Sequence, residues 1–415
     1  GPILNNLISF RDTPGNYRGY NDGVEFAQDY PFVPYQFKLL QNIFEQVRKH
    51  GSSGKHLSEG ERSLLSAYQE AAQQYGNEQE GALIPLYAFY NTMSEFLNPT
   101  ITRVINSAAN NPNLADDEFH LNLLKVLFMI KYIEEIPGNI DNIATLMLTN
   151  VNEDKTVLKQ KLTESLNKLR QERLIQKNGE NFIFLTDEEQ DINREIQSMS
   201  VDEMDIIHSL SEYLFEDIFP EKKFRFSNHY HFDFNEILDT VKHGRQTASI
   251  SLTVLSAISS SDVEDQELQM ESMNSRDLIV RLGGDASYIE EMEEVLKIEQ
   301  YRRRRNPNDL SETKQNILNN KQAEVRERRR RVRDLLEIAV KEADFFANGQ
   351  NLTINGSTAR ERINNGLSYL VENTYNKLNL VKDHIESERD LKLKITSNDT
   401  GSLSLEMDDS TYPNR

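Results

Sequence analysis

"DKTVLKQKLTESLNKLRQERLIQKNGENFIFL", residues 154–185, decides how the N-terminal half is read. Val157, Leu158, Leu162, Leu166 and Leu169 recur at helical spacing, which gives a long helix one apolar face. Two strand-like runs follow around Asn178-Gly179, a pair that tolerates the positive φ of a tight hairpin turn. Upstream, "DDEFHLNLLKVLFMIKYI" reads as an apolar helix and "NIDNIATLML" as a shorter one entered after Pro137-Gly138. Three helices and a hairpin, over residues 113–198, spell a winged helix-turn-helix. In such a module the third helix enters the major groove and the wing meets the backbone. Lys155, Lys159, Arg170 and Lys177 are then the candidate phosphate contacts, because cations release the counterions of DNA. Glu164, Glu172 and Glu180 dilute that face, so packing of the module against a neighbouring domain or a partner is the competing account.

Working outward, residues 1–112 read as a helical region with an extended N-terminal strap. Pro31 and Pro34 hold the residues before them extended, and helices are expected at about 35–50, 58–76, 80–97 and 99–109. Ser58 and Glu61 have the spacing of a capping box. Residues 199–300 read as a small α+β domain, with strands expected in "KKFRFSNHYHFDF", "ASISLTVLSAI" and "DLIVRLGG" and a polar, acidic loop at 259–275. Residues 301–396 read as a long helical hairpin or coiled coil around a turn at "ANGQNLTINGS", and 397–415 as a flexible tail. The expected fold class is mainly α with α+β parts, in several domains.

The chain has 415 residues, with 47 Lys and Arg against 67 Asp and Glu, and a net charge of −20. Such a chain is no generic nucleic-acid binder, so any DNA contact must come from local basic patches. There is no cysteine, which removes disulfides and thiolate metal sites and suits a reducing cytoplasm. No apolar run approaches the length of a membrane span. The Gly-Pro start without Met reads as a piece of a longer chain.

Two basic clusters stand out, "YRRRR" at 301–305 and "RERRRRVR" at 326–333. Arg302, Arg303, Arg326 and Arg330 are candidate DNA contacts, and Arg326, Arg330 and Arg333 share one helical face. The simpler account is a solvated helix face paired with acidic neighbours. In "NHYHFD", His229, His231 and Asp233 share one face of a strand, but no fourth ligand is visible and no metal site is assigned. "RKHGSSGKHLSEGERSLL", residues 48–65, has the look of a phosphate loop without its spacing. Gly54-Lys55 is followed by His56 rather than Ser or Thr, and position 49, where the first loop glycine belongs, is Lys.

"YPFVPYQFKLLQNIFEQVRKHGSSGKHLSEGERSLLSAYQEAA", and within it Tyr30–Phe37 and Gly60-Glu61-Arg62-Ser63, resembles the segment after the ATPase core in the P-loop ATPase family of the BREX phage-exclusion system, BrxC/PglY. "GDASYIEEMEEVLKIEQYRRR" and the paired long helices are similar too. The resemblance implies a parent protein with an AAA+-like core that binds ATP and Mg²⁺, works beside other BREX proteins and self-associates through that core. It implies that residues 1–112 are a lid-like region in which Arg62 senses the nucleotide. Arg62 stands one position early against the family pattern, and the alternative is an arginine in a capped first turn pairing with Glu59 or a neighbouring acid.

The reading is a non-catalytic, cytoplasmic piece of a BREX ATPase that couples nucleotide state to double-stranded DNA or to BREX partners. No cofactor is expected on the piece itself. The rival readings are a free-standing winged-helix DNA-binding regulator with a coiled-coil dimerisation arm, and a scaffold that binds only protein.

Overall fold

The computed structural model describes residues 2–50, 60–95, 97–227, 230–306 and 310–375. The chain divides between Ser198 and Met199 into two compact units. Among the described residues no helix is long and apolar enough to cross a membrane.

The first unit is helical, with α1 (Pro2–Leu7), α2 (Gly23–Asp29), α3 (Pro34–His50), α4 (Gly60–Tyr75), a 3-10 turn at Leu86–Phe89, α5 (Tyr90–Ser94) and α6 (Pro99–Ala109). Then come α7 (Glu118–Met129), α8 (Ile140–Met147), α9 (Lys155–Gln171), the hairpin β1 (Ile175–Asn178) and β2 (Asn181–Phe184), and α10 (Asp187–Gln197). The helix starts are set by side chains that satisfy orphan N–H groups. Asp117 accepts from Phe119 N, Asn139 from Asn142 N, and Asp154 from Thr156 N and Val157 N. Thr186 and Glu189 form a reciprocal capping box.

α9 buries Leu158, Leu162, Leu166 and Leu169 against α7 and α8. At about 1.5–3 kcal/mol for each buried side chain, this stripe is what fixes the helix. Val157, counted above with the apolar face, is instead 59% exposed. β1 and β2 pair antiparallel with Asn178 opposite Asn181, and Gly179 turns at φ 61°. Gly138 lies so close to β2 that a Cβ there would sit 2.5 Å from Phe182 O, while Phe182 N donates to Gly138 O at 2.9 Å. The strap before α2 lies on α8, since Arg11 N donates to Asn142 Oδ1 and Asn142 Nδ2 donates back to Arg11 O.

The second unit opens with α11 (Glu203–Glu212), which runs into a π-helical turn at Tyr213–Ile218. A two-stranded ribbon follows, β3 (Lys223–Arg225) with β4 (His231–Asp233). The main sheet has six strands, β5 (Asn235–Leu238), β6 (Val241–His243), β7 (Ser251–Leu255), β8 (Asp277–Arg281), β9 (Asp344–Ala347) and β10 (Gln350–Leu352), in the order 10-9-8-7-5-6. β5, β7 and β8 are parallel, and antiparallel neighbours flank them on both sides. β7 and β8 are joined through α12 (Ala257–Ser260) and α13 (Asp265–Asn274), and β8 and β9 through α14 (Ser287–Arg303) and α15 (Glu312–Lys341). α16 (Ala359–Thr374) closes the unit.

Period-two alternation separates the two sheet faces. Ile279 and Phe346 point to α13, where they pack on Leu268. Leu278 and Phe345 point the other way, to Gly366 of α16, whose missing Cβ would stand 2.7 Å from Leu278 Cδ2. The π turn lies on the α16 side as well, because Phe215 meets the ring of His243, which stands opposite Glu236 and so in line with Leu252 and Leu278.

Three expectations change here. The acidic stretch at 259–275 is not a loop. It carries α12 and α13, held by Leu268 and Ser272 turned inward four residues apart, too sparse an apolar signal to show in the sequence. The boundary drawn at 300/301 does not separate two bodies, because β9 and β10 lie beyond the long helix yet complete the sheet begun before it. The helical hairpin pairs α15 with α14, its predecessor, in antiparallel register. Arg328 and Arg331 meet Glu291, Arg329 meets Glu299, and Gln322 meets Arg302.

Candidate functional site

Most cations of α9 are turned to acids and carbonyls of their own unit. Lys155 Nζ donates to Thr145 Oγ1 at 2.8 Å and to Leu7 O at 3.1 Å, tying α9 to α8 and the strap. Burial, and then the nearby Lys159 charge, lowers the Lys155 amine to about 8. Lys159 is paired with Asp141, Lys161 with Asp117 and Lys168 with Asp116. Each of these three lysines holds its carboxyl below the usual range, chiefly by hydrogen bonding. Lys177 lies 6.0 Å over the ring of Phe182 on the hairpin. Arg170 is exposed at the far end of the helix. The outward face of α9 therefore carries Gln160, Glu164, Asn167 and Arg170, a nearly neutral set.

The α14–α15 arm concentrates charge differently. Its seam holds a desolvated ion chain in which Lys321 meets Glu324 at 2.8 Å, Glu324 meets Arg328 at 2.9 Å, Arg328 meets Glu291 at 2.9 Å and Glu291 meets Arg331 at 3.1 Å. The Arg328 side chain is 6% exposed and that of Glu324 10%. Burial opposes both charges, but their partners outweigh it, so Glu324 is held below its ordinary value and Arg328 above its own. Arg329 reaches Glu299 and the Tyr213 hydroxyl of the π turn. The acids that neutralise half of "RERRRRVR" therefore come from "EEMEEVLKIEQ" on α14, a signal the sequence held in the repeated glutamates of that helix.

Outside the seam the arginines face solvent. Arg326 and Arg330 are exposed, and no ion pair or hydrogen bond of their side chains occurs among the described residues. At the end of the arm Arg302 donates to Gln322 at 3.0 Å, Arg303 stands 3.5 Å from Glu299 with 78% of its side chain exposed, and Arg305 lies over the ring of Tyr301. Residues 300–333 hold ten arginines and two lysines against four acids.

The side chains of Glu61 and Arg62 lie outside the described residues, as do Ser58 and His229; the backbone at Glu61 and Arg62 belongs to α4. His231 and Asp233 lie on β4, and no group of three or more potential metal ligands occurs among the described residues. A cluster the sequence did not announce joins the ribbon to the sheet edge. Lys222 Nζ donates to both oxygens of the buried Glu236, at 3.1 and 3.0 Å, and to Phe215 O of the π turn at 3.0 Å. His243 Nε2 lies 3.9 Å from Glu236 and 3.6 Å from Glu216. Burial raises the Glu236 carboxyl above its usual range against the pull of Lys222, and lowers His243.

The second unit is thus an α+β module, a mixed six-stranded sheet crossed on one side by a cationic helical arm. Residues 199–370 match the family model described as "BREX ATP-binding protein BrxC 4th domain with six-stranded beta sheet", so this part of the chain is similar to that domain of BREX proteins. The strand count in that description is the count found here. No solved structure matches the chain.

Proposed function

We propose that this chain acts within a BREX defence system as a non-catalytic, interacting part of a BrxC-type ATPase, and that its contact with double-stranded DNA is the end of the α14–α15 arm. In this reading ATP and Mg²⁺ belong to the AAA+-like core of the parent protein. Residues 1–112 serve as its lid-like region, with Arg62 toward the nucleotide, and residues 113–198 serve as a winged helix that docks to BREX proteins more than to phosphates. The observation that supports it is the contrast between two cation sets. Lys159, Lys161 and Lys168 of α9 are neutralised within their own unit, whereas Arg302 to Arg305 crowd one helix end with Glu299 as the acid that meets Arg303 there.

Fluorescence-anisotropy titration with duplex DNA at several salt concentrations tests it. Each phosphate contact adds about 0.9 to the slope of log affinity against log salt. Arg302→Glu/Arg303→Glu is therefore expected to weaken binding steeply and lower that slope by about 2. Arg170→Glu/Lys177→Glu is expected to leave it within about 0.5. The reverse ranking assigns the contact to the winged helix. Absence of binding at the lowest salt assigns the arm to protein partners.

A further inference from the structure

The second unit carries two exposed ridges of opposite charge and matching pitch, on opposite sides of its sheet. On α15, Arg326, Arg330 and Arg333 stand at spacings of four and three residues. All three are exposed, and among the described residues their one ion pair is Arg333 with its neighbour Asp334 at 3.8 Å. On α13 and its N-cap, Glu264, Glu267 and Glu271 stand at spacings of three and four. They too are exposed, with no ion pair or side-chain hydrogen bond among the described residues, while the adjacent Asp265 is taken by Arg281. Each ridge runs over eight residues, seven steps of about 1.5 Å or about 10 Å in all. Laid antiparallel, the spacings coincide, so that Arg333 meets Glu264, Arg330 meets Glu267 and Arg326 meets Glu271.

From this complementarity we infer that a second copy of the chain docks its α13 on the arginine ridge of α15. Among the described residues of the second unit the two ridges do not meet, because α13 covers the face of Ile279 and Phe346 while α15 stacks on α14, the π turn and α16 on the other side. The contact is therefore head-to-tail, and each copy offers one ridge on either side. Met270, 66% exposed beside the acidic ridge, adds adaptable apolar surface for the aliphatic stems of the arginines. This surface is distinct from the arm's end and does not rest on the DNA contact proposed above.

Sedimentation velocity of the full chain over a concentration series tests it, without nucleic acid. The wild type is expected to form concentration-dependent oligomers at low salt that dissociate toward 1 M, where the screening length falls to about 3 Å. Arg326→Glu/Arg330→Glu/Arg333→Glu and Glu264→Arg/Glu267→Arg/Glu271→Arg are each expected to remain monomeric. An equimolar mixture of the two, and the chain carrying all six changes, are expected to associate again. A wild type that stays monomeric at high concentration and low salt overturns the inference, as does failure of the mixture to associate when both variants keep the wild-type melting temperature. A monomeric chain whose ridge variant has lost DNA affinity overturns it too, and gives the ridge to a polyanion.

Discussion

Replacing Arg328 by methionine removes the centre of the ion chain in the α14–α15 seam. The side chain donates from Nε to Glu324 and from one terminal nitrogen to Glu291, both at 2.9 Å. Two charge-assisted hydrogen bonds at about 1.5–3 kcal/mol each give about 3–6 kcal/mol. Breaking a buried pair by deleting one partner costs about 3–5 kcal/mol. Glu324 keeps Lys321 and Glu291 keeps Arg331, so the expected loss lies at the lower end, about 3 kcal/mol. For a unit of this size each kcal/mol moves the melting point by about 2–4 °C, so calorimetry should show the second unit melting about 6–12 °C lower. The control is Lys321→Met/Glu324→Leu/Arg328→Met, which removes three linked charges together and leaves Glu291 with Arg331. It is expected to melt at or above the wild type, since apolar replacement of a whole buried network is often neutral or stabilising. The Glu324 carboxyl is held below the ordinary glutamate value of 4.5 by Lys321 and Arg328, which outweigh its burial. Its contribution is therefore present above pH 4.5 and lost as pH falls through the lowered folded value, so wild type and single variant should converge in acid. A single variant within about 2 °C of wild type at pH 7 would refute the reasoning, as would a triple variant less stable than the single one.

Lys222→Met leaves the buried Glu236 without its cation and should cost about 2 kcal/mol at pH 7 in calorimetry. Burial has raised that carboxyl, so the penalty applies above its folded value and fades as protonation sets in below it; the variant should approach wild type as pH falls through that raised value. Lys155→Met removes an amine lowered to about 8. Between about pH 8 and the ordinary lysine range near 10.5 the folded wild type binds fewer protons than the unfolded chain, so its stability should rise with pH relative to the variant; denaturant titrations across that window check the slope. Gly138→Ala places a methyl 2.5 Å from Phe182 O, and backbone must move to admit it. The first unit should lose about 1–3 kcal/mol, read as a lower melting temperature, with hydrogen exchange rising first in β2.

The sequence was most legible where one strong period ran through a whole element. Leu158, Leu162, Leu166 and Leu169 placed α9, and Asn178-Gly179 placed the β1–β2 turn, because local spacing and local turn chemistry suffice for both. It was least legible where the partner lies far along the chain. Nothing local in "DFFANGQNL" says that Phe345 and Phe346 complete a sheet whose other strands lie more than sixty residues earlier. The DNA candidates show the same limit. Lys155 and Arg326 are both cations on amphipathic helices, and only the fold reveals that the first is spent on Thr145 and Leu7 while the second faces water. Glu236 was hidden for a related reason. A lone glutamate in "NEILDT" looks like the polar half of an alternating strand until the π turn and Lys222 close over it.

α15 also has a mechanical consequence. Its thirty residues contain neither glycine nor proline and run without interruption from the arm's end to β9, which begins three residues after the helix stops. At about 1.5 Å per residue this is a rod of about 45 Å with no joint along it. A load applied at Arg302–Arg305 cannot be absorbed by bending there. It arrives as torque at the strand beside β8, so a shift of a few ångströms at the cationic end becomes a rotation of a few degrees at the sheet.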